Sequence, residues 1–113
     1  MENQLDFYQS CAGLRAKFHE ALPGVMDAHT SFTAEVYKDG AISHKMKRLM
    51  ALAVSLRTGC ANCIIGQTKW AVEAGATRDE VLAAASVAVA MGGTPSGAWS
   101  WRVVKVLEEL GMM

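Results

Sequence analysis

Cys60-Ala61-Asn62-Cys63 is the segment whose residue types and spacing could do chemistry. On a helix, residues i and i+3 share a face. Thiols at that spacing can therefore close a small disulfide ring with little backbone movement. Gly59 just before them is a stop signal, so a new helix is expected to start at Cys60 or Ala61. Both sulfurs would then sit in its first turn, where free N–H groups and the partial positive charge of the helix end favour an anion. The thiolate is the nucleophilic form of cysteine, and such settings bring its pKa to ~3.5–7.5. A thiolate can attack a peroxide or a disulfide, and a neighbouring thiol can resolve the product. Two blander readings stand beside this one. A free cysteine is often a small, inert core residue, which is the reading for Cys11. A zinc site wants four ligands, usually from two clusters, and the chain has no second Cys-x-x-Cys and no His-x-x-x-His.

The elements that must position this pair all read as helices. Prolines stand only at 23 and 95, and no strand-like alternation with hairpin turns occurs. The pattern predicts a first helix over about Leu5–Ala21, with an apolar stripe of Leu5, Tyr8, Leu14, Phe18 and Leu22. A second is expected over about Gly24–Lys38, with Val25, Ala28, Phe32 and Val36 on one face. Ser43 reads as the N-cap of a third helix reaching Thr58, with Met46 and Met50 as core filler. The fourth carries the cysteines and ends at Gly75, with Trp70 on the Cys63 face as a core residue or a pocket wall. Thr77-Arg78-Asp79-Glu80 reads as a capping box for a fifth helix ending near Met91. Its small residues Ala83, Ala84, Ser86, Val87, Ala90 and Met91 are expected at the buried centre of the subunit or of a trimer. Thr94 is expected to cap a last helix, with Pro95 at N1 and an end near Leu110. Trp99 and Trp101 lie two residues apart there and cannot share one face. The expectation is a single all-α domain of six helices spanning 1–113. A thioredoxin fold would need βαβ units, whose signals are absent.

Composition narrows the function classes. The chain has 113 residues, enough for one domain. It is 51% hydrophobic and 19% charged, with 11 basic residues against 11 acidic. Disorder needs the opposite balance. A net charge of zero speaks against a basic nucleic-acid-binding surface. The longest apolar run, Val81–Gly93, falls short of the ~18–20 residues that span a bilayer. MENQLDFYQS has early acids and no basic stretch, so no secretory signal is expected there, and the odd cysteine count argues against a disulfide framework. A reduced, cytoplasmic setting is the expectation. A domain this small buries only about 65% of its unfolded surface, so apolar surface should be left over.

The stretch Lys45–Thr77, KMKRLMALAVSLRTGCANCIIGQTKWAVEAGAT, resembles the alkyl hydroperoxidase D-like, carboxymuconolactone decarboxylase superfamily. Its pattern is a K-x-[KR]-E-L-[IM]-A-L-A-V helix, then G-C-x-x-C, then a helix with H-x-x-x-A-x-x-A-G-A-[ST]. Arg78–Ala90 also fits the alanine-rich helix that follows. The resemblance implies an all-helical subunit assembled as a homo-oligomer, a trimer or hexamer. In the redox branch a cysteine pair reduces small hydroperoxides or disulfides, and an external dithiol protein restores it. No metal or organic cofactor is implied.

Carried over by position, Cys60 and Cys63 are the redox pair. The resemblance places a glutamate and a histidine as proton relays where this chain has Arg48 and Gln67. Gln67 can hydrogen-bond but cannot act as a base near neutral pH. Arg48 cannot accept a proton, yet its charge could hold a thiolate ionised. His44, one turn before Arg48, is the best placed of the three histidines to substitute as a proton carrier, or else caps the exposed helix start. His19 and His29 read as surface or boundary residues. The leading reading is a thiol-dependent oxidoreductase acting as a peroxidase or disulfide reductase. The alternatives are a decarboxylase acting on a small lactone acid, or a non-enzymatic oligomer that keeps the dithiol for redox sensing.

Overall fold

A computed structural model describes all 113 residues. Six helices follow one another: α1 Gln4–Ala21, α2 Pro23–Val36, α3 His44–Thr58, α4 Ala61–Glu73, α5 Arg78–Gly92 and α6 Thr94–Glu109. There are no strands, so the all-α expectation holds. No helix is long and apolar enough to cross a membrane.

The helix starts show why these residues fold this way. The Asn3 side chain caps α1 by accepting from the Asp6 N–H at 2.9 Å. Ser43 caps α3 by accepting from the Met46 N–H at 3.1 Å. At α5 the Thr77 hydroxyl accepts from the Glu80 N–H at 3.1 Å, and the Glu80 carboxylate accepts from the Thr77 N–H at 3.0 Å. That return bond, together with Lys45 at 2.9 Å, holds the Glu80 carboxyl below its ordinary pKa.

Thr94 is not the cap of α6; it is already the first helical residue, and Gly93 holds the cap position without a side-chain bond. Gly93 has φ 70°, ψ −151°, a backbone open essentially to glycine, so the chain turns from α5 directly into α6. A side chain on the adjacent Gly92 would run into Ser96 and Arg57. The close turn thus leaves no non-helical residue in which a threonine could cap. Likewise Pro23 opens α2 rather than preceding it.

Helix α3 is the hub. It packs on α4, α5 and α6. Leu52 and Leu56 of α3, Ile64 of α4, Val81 of α5, and Val103 and Leu107 of α6 are fully enclosed. The start of α1 docks through Tyr8 onto Ile65 and Val106. Its first N–H groups, those of Gln4 and Leu5, donate to the Glu109 carboxylate at 2.7 and 2.8 Å.

Helix α2 is different. It packs only against α1 and contributes no buried residue. The apolar stripe of α1 is covered only at its start, where Tyr8 and Leu5 pack inward, while Leu14 is 67% exposed; the apolar face of α2 is open, with Val25 63% and Phe32 65% exposed. Met46 and Met50, read as core filler, are about half exposed for the same reason: α3 presents Leu49, Leu52 and Leu56 to the core and turns them away. On α5 the core takes Val81, Ala85 and Ala88. Ala83, Ser86, Val87, Ala90 and Met91 are exposed, so they do not form the centre of the subunit.

Candidate active site

The cysteine pair is placed by the α3–α4 corner. Gly59 ends α3 in the left-handed conformation at φ 78°, and both its N–H and that of Cys60 donate to the Ser55 carbonyl. A Cβ there would also approach the Trp99 indole nitrogen to 3.2 Å. The tight stop lets α4 begin at once. Cys60 becomes its N-cap, and the Cys60 Sγ accepts from the Cys63 N–H at 3.2 Å, the place a serine or aspartate oxygen usually takes. Cys63 occupies the third helical position. The two Cα atoms are 5.2 Å apart, within the range for a disulfide, and the sulfurs are joined. Cys60 is half-buried and Cys63 exposed. Cys11, on α1, is a free thiol outside the pair.

The disulfide opens on a groove of about 320 Å³ lined by Tyr37, Ala51, Val54, Ser55, Thr58, Cys60, Cys63 and Gln67. Beside it lies a larger cavity of about 530 Å³, bounded by His29, Thr30, Thr33, Ala34, Tyr37, Lys38, His44, Arg48, Gln67 and Trp70. Tyr37 and Gln67 belong to both walls. The larger cavity exists because α2 stands away from the core. Lys47 fixes the end of that helix by donating to the carbonyls of Val36 and Lys38 at 2.7 and 2.6 Å.

Arg48 is held tightly for a half-buried arginine. Its guanidinium carbon lies 3.7 Å from the Tyr37 ring centroid and 4.8 Å from that of Trp70. Nη1 donates to the Gln67 Oε1 at 3.3 Å, and the enclosed Nε has no partner. The two residues standing at the relay positions are therefore bonded to each other. His44 sits one turn earlier. Its Nδ1 lies 2.6 Å from the Tyr37 carbonyl. A carbonyl only accepts, so Nδ1 carries the proton and Nε2 is the basic nitrogen of the neutral ring.

The structure thus gathers Arg48, Gln67 and His44 on the larger cavity, and Cys60 and Cys63 on the adjoining groove, with Gln67 shared. Arg48 does not line the groove of the sulfurs. Sequence reasoning missed Tyr37; His29, read as a surface or boundary residue, is exposed and also walls the larger cavity. No local motif marks either, because the turn between α2 and α3 brings them there. Trp70 is both things considered for it: it packs edge-on against Tyr8 and walls the cavity. His19 pairs with Asp27 at 2.8 Å, away from the site.

Residues 23–106 match the model of the carboxymuconolactone decarboxylase family. Among curated proteins, the chain is similar to uncharacterized protein 4 in the cox locus of Paracoccus denitrificans, with 34% identity over 84 residues, 74% of this chain and 76% of that one. Among solved structures, it is similar to a carboxymuconolactone decarboxylase family protein of Legionella pneumophila, at TM-score 0.90 and 30% identity, over 96% of this chain and 97% of that one. A Thermotoga maritima protein of the same family, for which involvement in antioxidative response has been suggested, superposes at TM-score 0.71 and 30% identity, over 76% of this chain and 89% of its own.

Proposed function

This chain belongs to the carboxymuconolactone decarboxylase family, and from that premise we propose that it is a thiol-dependent oxidoreductase whose Cys60–Cys63 pair reduces a small hydroperoxide or disulfide. The observation that carries the reading is the pair's position: N-cap and third residue of α4, joined, and open to a groove. The helix start stabilises a thiolate there. The antioxidative role suggested for the Thermotoga maritima relative is in keeping with it.

The chemistry balances as follows. With a hydroperoxide ROOH, one cysteine thiolate takes the terminal oxygen as a sulfenic acid and releases ROH. The second thiol displaces water and closes the disulfide. With a disulfide, the thiolate forms a mixed disulfide and expels one thiol, and its partner expels the other. Either way the substrate gains two electrons, and an external dithiol protein returns the pair to its reduced form. His44, through Nε2, takes up the thiol proton by way of solvent in the cavity, and Gln67 orients groups in the groove by hydrogen bonding. The cycle suits the cytoplasm, where dithiol reductants are at hand.

A count of free thiols tests this. The reduced protein is expected to lose two thiols rapidly with one equivalent of hydroperoxide or small disulfide and regain them with a dithiol reductant. Unchanged thiols would overturn the reading. Decarboxylation of a small lactone acid is the second reading, favoured by the arginine in a cavity without acids. It leaves the disulfide without a task, and lactone turnover with unchanged thiols would establish it. Loss of thiols without turnover would instead mark a redox-sensing oligomer. We also propose that the chain forms a homo-oligomer through its exposed apolar helix faces.

A further inference from the structure

The larger cavity has a charge pattern that the redox cycle does not require. Arg48 makes no ion pair: its only hydrogen-bond partner is the neutral Gln67, through Nη1, at 3.3 Å. Nη2 is uncommitted, and no aspartate or glutamate lines the cavity. The other polar groups on its wall, Lys38, His29, His44, Thr30 and Thr33, add positive charge or are neutral, and the two acids next to it lie outside the lining and are already engaged: Glu35 pairs with Lys38 at 2.6 Å and Asp39 accepts from the His44 N–H at 2.7 Å. The rings of Tyr37 and Trp70 lie against the guanidinium, its carbon 3.7 and 4.8 Å from their centroids, and restrict its movement. An arginine held this way presents in-plane N–H donors to a planar anion, the geometry in which it binds carboxylates with two parallel bonds. The flanking Tyr37, Trp70 and Ala34 offer apolar and aromatic contact beside that anion.

We propose that this cavity binds the carboxylate of a small organic acid with an apolar or aromatic body, and that Arg48 is its anchor. The inference rests on the oxidoreductase reading for its consequence: the preferred substrates are carboxylate-bearing, anchored at Arg48 and reaching the sulfurs past Tyr37 and Gln67, which both walls share. Arg48 is then a positioning residue. It touches the substrate's anionic end and not the sulfurs. The thiolate attacks one sulfur of an acid disulfide, one thiolate product leaves, and the second cysteine displaces the other as the Cys60–Cys63 bond forms.

Two arms keep this inference separable from the redox reading. In the first, calorimetry compares phenylpropanoate with its uncharged analogue phenylpropanamide. The wild-type protein should bind the acid at least about tenfold more tightly than the amide. Arg48→Gln should abolish that preference, and Arg48→Lys, which keeps the charge without the planar fork, should retain part of it. Gln67→Glu should abolish it too, by giving Arg48 an internal carboxylate while keeping both aromatic neighbours of the arginine. Equal binding of acid and amide by the wild-type protein, or a preference that survives in Arg48→Gln, overturns the proposal. In the second arm the reduced protein meets an anionic dithiobis(nitrobenzoate) and an uncharged dithiodipyridine. Arg48→Gln should slow only the anionic reagent, by about tenfold or more. Equal slowing of both would mean that Arg48 acts on the thiolate and would overturn substrate anchoring. Acid binding with inert thiols would sink the redox reading and leave the carboxylate site standing. Reactive thiols without acid binding would do the reverse.

Discussion

Cys60 serves two purposes with one sulfur. Its Sγ caps α4 by accepting the Cys63 N–H, and it bonds to the Cys63 sulfur. The spacing made this legible in the sequence, because the stop at Gly59 and the i, i+3 geometry are both local. Arg48 and Gln67 were also visible as departures from the expected relay residues. Their bond to each other, and the stacking of Arg48 on Tyr37, were not, since Tyr37 reaches Arg48 only through the turn between α2 and α3. The cysteine corner rests on Gly59. Gly59→Ala forces a non-glycine residue to φ 78° against the Trp99 indole. It should cost about 1–2 kcal/mol, read as a lower denaturant midpoint at unchanged slope. Wild-type stability in this variant would mean that the corner relaxes without strain.

At the scale of elements, the best-read features were caps whose chemistry lies within four residues. Ser43 and the Thr77–Glu80 box are where side-chain pattern placed them. Thr94 was misread because a glycine with φ 70° removed the need for a capping side chain. The apolar sides of α1 and α2 were legible, but what covers them was not, because amphipathicity gives a helix an apolar side and not its neighbour; only Leu5 and Tyr8 of these faces reach the core. The capping box carries a pH prediction. Glu80 is held below its ordinary pKa of 4.5, first by the Thr77 N–H and then by Lys45. A depressed carboxyl pKa stabilises the fold above the unfolded-state value and loses that effect as pH falls through the folded-state value. Glu80→Gln should therefore lower the thermal midpoint at pH 7. The gap from wild type should close as the pH is brought below 4.5 and through the folded-state pKa. A gap that persists unchanged in acid would place the effect elsewhere. Thr77→Ala, which removes the other half of the box, should cost about 1 kcal/mol.

At the scale of the whole molecule, the sequence's 51% hydrophobic content exceeds what the single chain encloses. The surplus is on view: Val54 is 64% exposed, Val87 58% and Met91 81%, and all three line one shallow depression between α3 and α5. Isolated apolar residues on a surface are ordinary, but a contiguous group of this kind marks an interaction face. The proposed homo-oligomer would close through that face. Light scattering should give the wild-type protein a mass several times that of one chain, and replacing Val87 and Met91 together by aspartate should reduce it to one. A wild-type mass of a single chain would contradict the assembly. The α3–α5 depression also borders the cysteine groove, because Val54 and Thr58 line both. The exposed apolar face and the cysteine groove are therefore neighbours.

The central claim, that Cys60 and Cys63 exchange two electrons with a substrate and Cys11 takes no part, is tested most directly by the mass of one peptide. After a single turnover of the reduced protein with one equivalent of a small disulfide or hydroperoxide, the proteolytic fragment spanning 60–63 should be lighter by two hydrogens and internally bonded, while Cys11 remains a free thiol. A stable adduct on Cys11, or an unaltered fragment with both thiols intact, would contradict it.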